Sequence, residues 1–213
     1  GASLFFPLFF QMVMGVSASH SGLLTGPLMI GVVISSMVNG RVLLHRFGRY
    51  KPAQLCGLSL ATVAFAVLAW AAATSQGFWI IEPSVFALGL GLGLVMPTMT
   101  IAVQNALPLA HRGVGTATLA FFRSLGGLIG VTGSGAILAY RVQNAGGVLD
   151  GVHVSSLTEA GMKQLGTTSP EAHAGAIALY RHAIAMTFAT GTAIVAEALI
   201  ALLFLPDLPL ATD

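Results

Sequence analysis

Apolar residues in this chain run in blocks of about twenty, without the alternation of a strand or the one-sided period of a surface helix. Six blocks stand out, at residues 2–16, 22–44, 52–73, 78–103, 114–140 and 176–205. A helix crossing a hydrocarbon core of about 30 Å needs roughly 20 apolar residues, so each block predicts a spanning helix, the first of them short. Apolarity all round is expected of a helix solvated by lipid. The blocks are separated by short turns at 17–21 and 74–77, by loops at 41–52 and 105–113, and by a long segment at 141–175. In that segment, Ser156-Leu157-Thr158-Glu159 has the form of a capping box, and Gly166 suits the end of the short helix it predicts. Ser169, Pro170 and Glu171 then offer an N-cap, a proline at the first helical position and a first-turn acid. The last helix is therefore expected to begin outside the bilayer and run inward past Arg181 and His182.

Composition fixes the solvent. Hydrophobic residues make up 55% of the chain and charged residues 8%, against about 25% charged in a soluble domain. The fold class is an all-α polytopic membrane protein, with the lipid bilayer as its first partner. The net charge of +2 comes from loops, and no basic stripe points to nucleic acid. The chemistry of a soluble enzyme finds no foothold. The six histidines form no i,i+4 ligand pair, the single cysteine, Cys56, has no partner for an internal disulfide, and no phosphate-cradling loop is present. Gly133-Ser134-Gly135 lies inside a span and reads as packing. No metal, cofactor or catalytic residue is expected. The run at residues 5–14 lacks the basic flank and cleavage site of a signal peptide, and an apolar run that opens at Gly1 reads as a cut edge.

Charge placement predicts orientation. Arg41, Arg46, Arg49 and Lys51 crowd the loop at 41–52, and Arg112 lies in the loop at 105–113. The turns at 17–21 and 74–77 carry no Lys or Arg, and Arg141, Lys163 and Arg181 are spread over the stretch from 141 to 181. Basic short loops stay in the cytoplasm, which puts 41–52, 105–113 and the C-terminus inside and 141–175 outside a cell membrane.

Within the spans a few residues carry information. Gly89/Gly93 and Gly126/Gly130 have the small-xxx-small spacing that lets backbones approach, and Pro97 is expected to bend its helix. This pattern fits either static packing or gating. Arg123 and Glu197 fall at a common depth of about 13 Å at 1.5 Å per residue, on helices expected to run antiparallel. They are expected to pair, either as a lock between helices or as a proton-coupling element. Glu82 near the outer end of the fourth span is an interfacial carboxylate or a protonatable one at the mouth. Gln11, Met14, Met96, Thr98, Phe121 and Phe122 are candidates to line an adaptable apolar cavity, each also readable as core packing.

Pro7 and Gln11 in the first span, the Arg46-Phe47-Gly48-Arg49 loop, the glycine run at 89–97, and Arg112-Gly113-Val114-Gly115-Thr116-Ala117 running into residues 122–130 together resemble the C-terminal half of a major facilitator superfamily transporter. The likeness is greatest to the fourteen-helix drug:proton antiporter branch. The cytoplasmic loop is a degenerate copy of the superfamily signature, with His45 where the family has Asp, so Arg46, Gly48 and Arg49 read as an anchor. The resemblance implies six helices forming a 3+3 inverted repeat, one half of a major facilitator fold. It further implies proton-coupled efflux of small lipophilic compounds by alternating access, in a bacterial inner membrane, with a missing N-terminal half as partner. A homodimeric six-helix channel or half-transporter and a non-transport membrane scaffold are the alternatives.

Overall fold

The computed structural model describes residues 2–39, 50–143 and 170–205, and every regular element among them is helical. The helices are α1 (Ala2–Met12), α2 (Ala18–Leu24), α3 (Gly26–Val38), α4 (Lys51–Ala73), α5 (Phe78–Ala106), a 3-10 turn (Leu109–His111), α6 (Arg112–Gln143) and α7 (Pro170–Phe204). Five stretches are long and apolar enough to cross a membrane: Ala18–Val38, Lys51–Ala73, Phe78–Ala106, Leu109–Ile137 and Ala174–Phe204. The sixth expected span corresponds to α1, which is 11 residues long. The last helix begins at Pro170, as its first-turn sequence predicts. The short helix expected near 156–166 and the loop residues Arg46, Gly48 and Arg49 lie outside the described residues.

The first turn falls earlier than expected. The sequence places it at 17–21, whereas the chain turns over residues 13–17. Gly15 takes a left-handed φ of +68° there, open to glycine because it lacks a Cβ. Val16 N–H reaches back to the Phe10 carbonyl at 3.1 Å. Ser17 then caps α2, its hydroxyl accepting from His20 N–H at 3.4 Å. The second span is also interrupted, at Thr25, whose hydroxyl donates to the Ser21 carbonyl at 2.7 Å just before Pro27 restarts the helix as α3.

The core is built around α5, which packs extensively on α3 and α4, while α4 in turn packs along α7. In lipid no hydrophobic force drives helices together, so close van der Waals contact must do so. Glycine provides that contact. A Cβ on Gly91 would stand 2.7 Å from the Gly57 carbonyl of α4, and one on Gly57 would stand 2.8 Å from the Gly91 carbonyl. On the other side of α5, a Cβ on Gly31 would meet Leu90 N at 2.9 Å and one on Gly89 would meet the Leu28 carbonyl carbon at 2.9 Å. The buried face of α4 continues this theme with Ala61, Ala64, Ala71 and Ala72. At one end of the bundle α1 closes over these helices with aromatics. Phe6 and Phe9 lie 5.3 and 6.4 Å from the Phe188 ring of α7, and Phe10 stacks on Phe78 of α5 at 6.2 Å.

Polar contacts tie α4 to α7 at both ends. The Lys51 ammonium donates to the Leu203 and Leu205 carbonyls, satisfying acceptors at the end of α7. At the opposite end the Arg181 guanidinium donates to the Ser75 hydroxyl in the α4–α5 turn. By contrast, α6 touches α5 and α7 only narrowly, and none of its side chains between 112 and 137 is buried.

Replacing Gly91 with valine forces two backbones apart and is expected to lower unfolding free energy by about 1–3 kcal/mol or more. Gly130→Val, with nothing within 4 Å of its added Cβ, is expected to stay within about 0.5 kcal/mol. Denaturant unfolding of this chain in lipid nanodiscs checks the contrast.

Candidate functional site

Two apolar clefts flank α6. One, of about 520 Å³, lies between α6 and α7 with Phe65 of α4 on its wall. The other, of about 510 Å³, lies between α5 and the start of α6. Gly126 and Gly130 open the first cleft from one side and Gly191 from the other. Of the two readings of Gly126 and Gly130, packing or gating, close packing is not made within the described residues. No atom lies within 4 Å of a Cβ built on either, because α6 stands off from its neighbours. Gly89 and Gly93, with the same spacing, do pack backbone to backbone against α3.

The cleft walls present little hydrogen-bonding capacity. Thr187 and Thr190 both line the first cleft, yet their hydroxyls donate to their own helix, to the Ala183 carbonyl at 3.1 Å and the Met186 carbonyl at 2.9 Å. Thr118, on the second cleft, donates to the Val114 carbonyl at 2.9 Å. With those donors spent, the polar groups left to the walls are the hydroxyl lone pairs, Ser134 on the first cleft and His111 on the second.

The cavity candidates do not gather in one place. Gln11 is spent at the first turn, where its Nε2 donates to the Ser21 hydroxyl at 2.9 Å. Met14 packs against the aromatic core. Thr98 is fully buried, its hydroxyl donating to the Leu94 carbonyl at 2.7 Å and reaching the Val95 carbonyl at 2.9 Å. Within this chain it reads as core packing. Met96, Phe121 and Phe122 do share one region along α5 and α6. All three are exposed, the two rings meet edge-on at 5.7 Å, and Phe122 lines the second cleft.

Arg123 belongs to the same region, its Nη1 lying 3.9 Å from Met96 Sδ. Glu197 is exposed on α7. The expected ion pair between them is not formed: among the described residues no salt bridge joins the two. Their common depth is not enough, because Arg123 turns to Met96 of α5 while Glu197 stays exposed on α7. Glu82 is half-buried within α5, and its Oε1 has no hydrogen-bond partner among the described residues. Pro97 lies inside α5, which continues as helix from Phe78 to Ala106.

Sequence reading overlooked Ser36 and Asn39. Their side chains donate across to α5, Ser36 Oγ to the Gly93 carbonyl at 3.0 Å and Asn39 Nδ2 to the Leu94 carbonyl at 3.3 Å. The available signal is polarity at i and i+3 inside an apolar span.

With five spanning stretches, glycine-packed backbones and hydrocarbon-lined clefts in place, comparison with known proteins assigns the family. The sequence profile of the Major Facilitator Superfamily matches residues 1–131, more than half of the chain. The chain belongs to the major facilitator superfamily. Among its superfamily relatives, the multidrug transporter protein MdtP of Bacillus subtilis is 37% identical over 145 residues, covering 68% of this chain and 26% of MdtP. A tetracycline resistance determinant of Streptomyces rimosus is 35% identical over 125 residues, covering 59% of this chain and 35% of that protein. The efflux pump MFS1 of Arthroderma benhamiae is 28% identical over 199 residues, covering 92% of this chain and 37% of its own length. The chain thus spans between about a quarter and just over a third of these superfamily members. Superfamily proteins are transporters rather than enzymes.

Because Arg123 and Glu197 do not touch, Arg123→Gln and Glu197→Gln are expected to act independently. The effect of the double variant on stability should equal the sum of the single effects to within about 0.5 kcal/mol. A larger coupling, measured by a double-mutant unfolding cycle, places the two charges in contact.

Proposed function

We propose that this chain is the C-terminal six-helix half of a proton-coupled efflux transporter for small lipophilic compounds, of the fourteen-helix drug:proton antiporter branch. The observation that carries this reading is the state of α6. In a chain of the major facilitator superfamily, this helix leaves its apolar surface and two clefts of about 500 Å³ unfilled by its own neighbours. Such a surface matches a helix that meets a second half and borders a shared cavity, and the short coverage of the relatives leaves room for that half. The names of those relatives, a multidrug transporter and a tetracycline resistance determinant, support lipophilic compounds as the substrate class.

In this reading α1 to α4 and α5 to α7 form the two arms of a 3+3 inverted repeat, and the halves rock about a midplane site. The ends of the bundle follow from the contacts already described. Lys51 and the end of α7 share one end, and Ser75 and Arg181 share the other. The excess of Lys and Arg in residues 41–52 assigns the Lys51 end to the cytoplasm of a bacterial inner membrane and 141–175 to the outside. Arg123, Glu197 and Glu82 are the intramembrane charges of this half. An ionisable group in a span costs roughly 2.5–3.5 kcal/mol to insert, a cost that coupling to protons or to an acid of the other half accounts for. Gly89, Gly93 and Pro97 then serve the moving interface, and Gly126 and Gly130 the contact with the second half. Met96, Phe121 and Phe122 face the cavity. A homodimer of six-helix units is the second reading, favoured by the same unfilled α6 surface.

The intact protein reconstituted into vesicles is expected to expel a lipophilic cation only while a proton gradient is imposed, and to stop when a protonophore is added. Efflux that continues unchanged without a gradient refutes proton coupling. In the same assay Arg123→Gln is expected to lower the rate about tenfold or more while leaving the protein folded.

A further inference from the structure

Both side-chain hydrogen bonds from α3 to α5 land on carbonyls beside Pro97. In an α-helix the carbonyl of residue i−4 accepts from the N–H of residue i. Residue 97 is proline and has no N–H, so the Gly93 carbonyl has no donor within its own helix. That carbonyl is where Ser36 Oγ donates, at 3.0 Å. The next carbonyl, of Leu94, accepts from Asn39 Nδ2 at 3.3 Å and from Thr98 Oγ1 at 2.7 Å. Glycine at 93 is what admits α3 to this distance, since a Cβ there would meet Val32 Cα at 2.9 Å as well as the Ser35 hydroxyl. Asn39 and Thr98 are fully buried, so water is not at hand to replace these donors.

We propose that Ser36 is a positioning residue that stands in for the amide Pro97 lacks, so that the two residues form one releasable joint between α3 and α5. An ordinary helical carbonyl is committed to its own helix, but the Gly93 carbonyl is committed to a neighbour. Breaking the Ser36 bond therefore removes no helical hydrogen bond from α5, and α3 can change register on a helix that stays intact. Asn39, three residues on and on the same face, fixes the register that is observed. The use of this joint in transport rests on the alternating-access reading above; the joint itself does not.

The test is a cycle of Ser36→Ala and Pro97→Ala in the intact protein in nanodiscs, read by amide exchange of the segments at 26–38 and 93–98. In the native background Ser36→Ala is expected to speed exchange about tenfold, because it strands a carbonyl in an apolar site. With alanine at 97 the helix supplies its own donor, and Ser36→Ala is then expected to change exchange less than about twofold. An equal effect in both backgrounds overturns the joint. Should Pro97→Ala fail to fold, Ser36→Thr is expected to keep native protection and Ser36→Val to lose it; equal protection in the two overturns the proposal as well. In vesicles, Pro97→Ala is expected to lower turnover about tenfold with apparent affinity within about twofold. If the native protein shows no gradient-driven efflux, the transport reading fails while the exchange cycle still decides the joint.

Discussion

Between α5 and its two neighbours there is no room for a side chain at Gly89, Gly91 or Gly93, and the carbonyls of one helix press on the Cα atoms of the next. In a medium as apolar as the protein, this contact is one of the few ways to hold helices together. It sets the spacing of α3, α4 and α5, and through α4 the position of α7. The aromatic cluster of Phe6, Phe9, Phe10 and Phe188 can close over the bundle only because the helices beneath are already that close. Close approach also brings backbone polar groups of one helix within reach of another, which is why two α3 side chains can serve α5 carbonyls at all.

The bundle therefore divides into a tied part and a loose one. Helices α3, α4, α5 and α7 share backbone contact, end-to-end polar ties and most of the buried residues. Helix α6 has no buried residue between 112 and 137, and apart from Arg123 its polar ties toward α5 are at its start, where Gln104 donates to Thr116 and Arg112 to the Leu107 carbonyl. Apart from Gly115, which abuts Leu107, its glycines face open space, its charge Arg123 rests on a methionine sulfur, and its polar groups are mostly satisfied locally. Such an element sits at the low-stability end of a structure, where parts that move or dock are drawn from.

What the sequence made legible follows from what lipid demands. Continuous apolar length is unavoidable for a span, so helix order and the ends at Thr74–Gly77 and Pro170 were readable. The turn at 13–17 was not, because Gly15 sits in an apolar run and lacks the polar flanks that mark a water-facing turn. The two small-xxx-small pairs are spelled alike, yet Gly89/Gly93 are packed and Gly126/Gly130 are open. The motif says that a backbone can approach, not that one does. Depth along a helix counts off at 1.5 Å per residue, so Arg123 and Glu197 could be placed at one level. Which way Arg123 turns could not be read, and it turns to Met96. Thr98 was readable either as cavity wall or as core, and it is fully buried in the described residues.

The threonines that bond back to their own helices have a consequence for what the clefts can tell apart. A hydroxyl already engaged with a carbonyl four residues earlier has no donor left to offer, so Thr187, Thr190 and Thr118 present methyl groups and acceptor oxygens but no O–H. Apart from Ser134 and His111, a wall of this kind sorts by girth and outline, with few donors to be matched. Sieves of hydrocarbon separate neighbours in a series poorly, by about 1–3 kcal/mol for each methylene. The low selectivity of such a wall follows from hydroxyl groups that have turned inward.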